Sequence, residues 1–145
     1  MIQLRRDDTT YINTQYLAVQ DVITNTDYGL LATLTSQLTG KSKTFICNTN
    51  YISTRIASIL IFVLASSSGE NLTAGTIFLG STDYPLGFYD ITFYQNTSAS
   101  NLDPTGLTVV STQLANLSAT SDVQPVTYSE YTTNDSDTES VYITF

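Results

Sequence analysis

The sequence predicts an all-β chain: a single antiparallel β-sandwich, or barrel-like domain, of about nine short strands with a C-terminal strand arm. Three observations carry this. Charged residues make up only 12% of the 145 residues, and Thr, Tyr, Ser and Asn take their place. Thr and Tyr favour strands; Ser and Asn favour turns. Turn signals recur about every 8–12 residues, the spacing of sandwiches and barrels. The most apolar stretch, Ile56 to Ala65, ends in Ser-Ser-Ser-Gly and is too short to span a bilayer as a helix. It also lacks the polar gaps of an amphipathic helix.

The elements follow in order. "IQLR" opens with alternation, and "TTYINTQYLAV" (9–19) is strand-rich, in one piece or two. "LLATLTS" (30–36) and "KTFICN" flank "QLTGKS", which suggests a hairpin with Gly40 in its loop. In the run 56–65 one face holds Ile56, Ser58, Leu60, Phe62 and Leu64, and the other holds Ala57, Ile59, Ile61, Val63 and Ala65. Both faces are apolar, so this reads as a central strand covered on both sides by a loop, the chain's own tail or another subunit. "TIFLG" (76–80) comes next, then a turn at "DYPLG" and the aromatic strand "FYDITFYQN" (88–96). "LTVVST" is a strand after the polar loop that holds Asn101, Asp103, Pro104 and Gly106. "QLANLSATSD" is the one stretch suited to a helical turn. "VQPVTYSEY" (123–131) is extended, because Pro125 blocks a helix. "VYITF" alternates at the chain end and sets Val141, Ile143 and Phe145 on one face. Composition turns polar and acidic near Ser118, which divides the chain into a core, 1–117, and an acidic extension, 118–145.

Charge is unevenly placed. Arg5, Arg6, Lys41, Lys43 and Arg55 are all the basic residues, and nine of the 13 acids follow Ile56. A half with no base does not neutralise phosphates, so nucleic acid is not an expected partner; an anionic membrane surface repels it too. The asymmetry reads first as a solvated acidic surface that keeps the protein soluble; its functional reading is that the basic N-terminal part meets an acidic partner while the acidic remainder faces water.

Catalytic chemistry finds little here. With no His in the chain and one cysteine, Cys47, there is no Cys–His or Ser–His pair, no internal disulfide and no imidazole zinc site. Cys47 reads as a buried thiol within a strand. Asp135, Asp137 and Glu139 are spaced like the start of a calcium loop, but Ser140 stands where such a loop needs Gly. Nothing brings Asp90 and Glu130 together as a glycosidase pair. The expectation is no enzyme, no cofactor and no metal.

"PLGFYDITFYQNTSASNLDPTGLTVVSTQLANL" (85–117) and "VTYSEYTTNDSDTESVYITF" (126–145) resemble small β-rich virion proteins of marine tailed bacteriophages. "MIQLRRDDTTYI" and "LLATLTSQLTGKSKTFI" resemble their first strands. The resemblance implies a structural protein of the particle, foremost a capsid-decorating (cement) protein. Such a protein self-associates and contacts the major capsid protein or other virion proteins. A head–tail connector, neck or tail accessory protein is the alternative, and a surface carbohydrate-binding module a further one. Production in the host cytoplasm and residence in the virion are expected, since "MIQLRRDDTT" has no apolar signal segment. The expected interface residues are Arg5, Arg6, Ile59, Leu60, Ile61, Phe62, Val141, Ile143 and Phe145.

Overall fold

The computed structural model describes residues 1–6, 11–19, 23–53, 55–80 and 82–119. The chain is all-β, with strands β1 (Ile2–Arg6), β2 (Tyr11–Ala18), β3 (Leu31–Ser36), β4 (Ser42–Ile46), β5 (Asn48–Tyr51), β6 (Ile56–Leu64), β7 (Thr76–Phe78), β8 (Gly87–Tyr94) and β9 (Val109–Ala119). A single 3-10 turn, Ser67–Gly69, is the only helical element among the described residues.

The strands form two sheets. Sheet A runs β1-β9-β8-β3-β4; sheet B runs β2-β6-β5, with β7 also paired to β6. Period-2 alternation explains the layering. Ala57, Ile59, Ile61 and Val63 of β6 are fully buried, and Leu4, Leu34, Phe45, Tyr89, Ile91, Phe93 and Leu117 of sheet A meet them in one core. Among the described residues no helix is long and apolar enough to cross a membrane.

Several elements depart from the sequence reading. The expected sandwich is antiparallel, but β1 pairs β9 in parallel, and so do β6 and β7. Residues 9–19 form one strand where described, Tyr11–Ala18. The stretch read as a helical turn is strand: β9 extends to Ala119, because Ala115–Ala119 pair with β1 while residues as far as Leu117 pair with β8. Pairing on both edges overrides the helix preference of Gln, Leu and Ala. β9 thus takes in Ser118 and Ala119, the first two residues of the expected acidic extension. "NTNY" was missed as a strand, yet it pairs with β6 as β5. The β3–β4 hairpin forms as expected, with Gly40 at φ +74°. The arm and "VTYSEY" lie outside the described residues.

Between β4 and β5 the chain crosses from sheet A to sheet B at Cys47. Gly29 makes the crossing possible: a Cβ there would lie 2.3 Å from the Cys47 carbonyl oxygen. Only glycine lets the two backbones approach so closely.

Candidate functional site

The two outer faces differ in kind. On sheet A the register lines up Thr44, Thr33, Thr92 and Thr112 across β4, β3, β8 and β9. The next rank holds Ser42, Thr35, Asp90 and Leu114. The hydroxyls of Thr33 and Thr44 are 3.1 Å apart and those of Thr35 and Ser42 2.7 Å apart, so neighbouring strands are laced by side-chain hydrogen bonds. The hydroxyl ranks of this face are suited to water, and Phe88 and Leu114 stand exposed beside them.

On sheet B the outward residues of β6 are Ile56, Ser58, Leu60, Phe62 and Leu64, the remaining half of the apolar run. Ile12 pairs with Phe62 and Thr14 with Leu60 on β2. Thr76 and Phe78 of β7 flank Phe62 and Leu64 on the other side. Ile12 is 54% exposed, Tyr16 72% and Ile56 45%. Leu60, Phe62, Leu64 and Phe78 are half-buried. No Asp, Glu, Lys or Arg projects from the strands of this face. Large exposed apolar patches on proteins are often interaction surfaces.

Sheet edges are held by side chains and loops. Asn13, on β2, is buried; its Oδ1 accepts the Arg5 backbone N–H at 3.0 Å, and its Nδ2 donates to the carbonyls of Arg5 and Ile61, both at 3.4 Å. Gln15 Nε2 donates to the Gln3 carbonyl, also at 3.4 Å. The edge of β1 is thereby tied to sheet B. On β7, the Glu70 carboxylate accepts the Phe78 N–H at 2.7 Å and pairs with the Lys43 ammonium, which also donates to the Phe78 carbonyl at 2.8 Å. Lys43 lies 4.6 Å from the Tyr84 ring centroid, and the Tyr84 hydroxyl donates to the Ser42 carbonyl on β4. Edges occupied in this way resist the addition of a foreign strand.

The residues singled out in the sequence separate accordingly. Leu60 and Phe62 lie on the apolar outer face. Ile59 and Ile61 do not: they are fully buried in the core, because the strand's alternation turns them inward, and they leave the set of interface residues. Arg6 turns to sheet B, where its Nη1 donates to the Leu79 carbonyl at 2.7 Å; it is an inter-sheet tie. Arg5 is half-buried, with its guanidinium carbon 5.2 Å from the Tyr11 ring centroid. Val141, Ile143 and Phe145 lie outside the described residues. The sequence reading missed Ile12 and Tyr16, whose signal was the alternation of "YINTQYLA" itself.

No group of three or more His, Cys, Asp or Glu gathers among the described residues. Burial pushes the Cys47 thiol far above its ordinary range, which suppresses the thiolate that a nucleophile needs. Asp103 is held below the usual carboxylate range by the hydroxyl and backbone N–H of Thr105 within its own exposed turn. Compared with known proteins, the chain matches no family model, no curated protein and no solved structure.

Proposed function

We propose that this protein works by binding, as a structural protein of a virus particle, and that it decorates the shell and stabilises it through repeated contacts. The observation that carries the reading is the uncharged apolar face on the outside of sheet B. A face of that kind is of no use to a solitary chain, and it contrasts with the hydroxyl-rich face of sheet A. Resemblance of the sequence to small virion proteins of tailed phages supplies the setting. On a shell, each copy meets its neighbours at many equivalent places, so a modest contact repeated over the lattice holds strongly.

The test is occupancy. Particles assembled with the wild-type chain should carry it in the copy number of the shell lattice. Phe62→Glu, which puts a charge on the apolar face without touching the core, should reduce that occupancy at least tenfold. A copy number matching one ring at the neck or tail would move the protein to the head–tail junction. Full occupancy by Phe62→Glu would remove the apolar face from the account.

A further inference from the structure

We propose that the partner on the outer face of sheet B is a second copy of this chain, packed face to face about a twofold axis. The inference deepens the assembly reading above, and it rests on three features of the face. The first is charge. The chain carries a formal −8, so two copies repel wherever acidic surface meets acidic surface. The strands of this face project no ionised side chain, so two copies can close on it without opposing like charges. The second is shape. Sheets pack face to face about 10 Å apart with strands within about 30° of each other, and β6 with its neighbours presents such a surface. The mates of Ile12, Leu60 and Phe62 then complete a second apolar layer outside the first. The third is the state of the edges. Asn13, Glu70 and Lys43 already satisfy backbone groups that a partner strand would need on β1 and β7. Association by strand addition is disfavoured at those two edges, which leaves the face the better placed of these surfaces.

Area sets the strength. Nine residues of β6 at about 3.3 Å each, across three strands about 4.8 Å apart, give a footprint near 450 Å². Stable interfaces take about 800 Å² from each partner. Pairing in solution is therefore weak and concentration-dependent.

Sedimentation of the full chain over a concentration series tests this. The wild type should pass from monomer to dimer. Ile12→Glu and Ile12→Lys, each at an exposed position, should keep the wild-type circular dichroism spectrum and shift the midpoint at least tenfold upward. Thr92→Glu, on the outer face of sheet A, should associate like the wild type. A wild-type chain still monomeric at about 1 mM overturns the proposal, whether residues 120–145 or a different protein covers the face. So does an Ile12→Glu variant that dimerises unchanged, or a Thr92→Glu variant that does not dimerise. The two readings fail separately: a monomer that still occupies particles ends the pairing alone, and a dimer that never occupies them ends the virion assignment alone.

Discussion

Cys47 sits at the crossing between the two sheets, with its side chain in the core and its backbone pressed against Gly29. Burial raises its pKa because a thiolate there would lose its hydration. The thiol should thus react with a maleimide or aromatic disulfide only when the fold opens. At pH 8 the native chain should label more than ~100-fold more slowly than the urea-unfolded chain. Comparable rates would place Cys47 at the surface. Tyr89 gives a pH dependence. It is fully buried, its hydroxyl donates to the Pro85 carbonyl at 2.6 Å, and burial pushes its pKa up to about 12. Tyr51, bonded to the Tyr28 carbonyl at 2.7 Å, is likewise pushed up to about 12 by burial. The folded chain holds these protons more tightly than the unfolded one does. Their contribution is complete below about pH 10 and declines as pH rises from about 10 to 12. The urea midpoint should fall across that window. In Tyr89→Phe the fall should be shallower, at a cost of about 1 kcal/mol near neutrality for the bond lost to Pro85.

At the scale of elements, β6 tests the two-faced reading. Ile61→Asp places a carboxylate among core side chains with no partner and should abolish folding, by 4 kcal/mol or about that. Leu60→Asp, one residue away, points outward and should leave the circular dichroism spectrum intact while weakening association. If both unfold the chain, the outer face is covered within the monomer. Asn13 tests the junction of the sheets. Asn13→Leu keeps the volume but strands the Arg5 backbone groups, and should lower stability by about 2–3 kcal/mol in urea titration. Much of this architecture was legible in the sequence: strands, the Gly40 hairpin and the two apolar faces of β6 all follow from alternation and turn residues. Three features were not. "NTNY" carries two turn-forming Asn residues, and it is strand only because β6 supplies the ladder. "QLANLSA" has helix formers, and β1 and β8 decide against them from far along the chain. The inward side of 56–65 was hidden because both faces are equally apolar, and only pairing with β2 tells Ile61 from Leu60. The buried role of Asn13 had no local signal, since an Asn in a strand looks like a solvent-facing one.

For the molecule as a whole, one sandwich presents two unlike surfaces. The outer face of sheet A is laced with hydroxyls but also exposes Phe88 and Leu114, while that of sheet B is apolar along β6. Two cations span the layers, with Arg6 from β1 reaching the Leu79 carbonyl and Lys43 from β4 reaching the Phe78 carbonyl. Both converge on the end of β7, so the shortest described strand is braced from sheet A. Lys43→Ala removes the partner of Glu70 together with one of these ties. It should loosen β7, seen as faster amide exchange at Phe78 than in the wild type, with a cost of about 1–2 kcal/mol. Unchanged exchange would show that pairing with β6 suffices.

The parallel pairing of β1 with β9 also sets a clock. Ile2 to Arg6 are made long before their partners, Ala115 to Ala119. At ~5–20 residues per second, the opening strand waits on the order of ten seconds for its mate to leave the ribosome. Leu4, wholly buried once folded, spends that time unsheltered. A cell making many copies at once therefore gains from anything that shields β1 until β9 arrives.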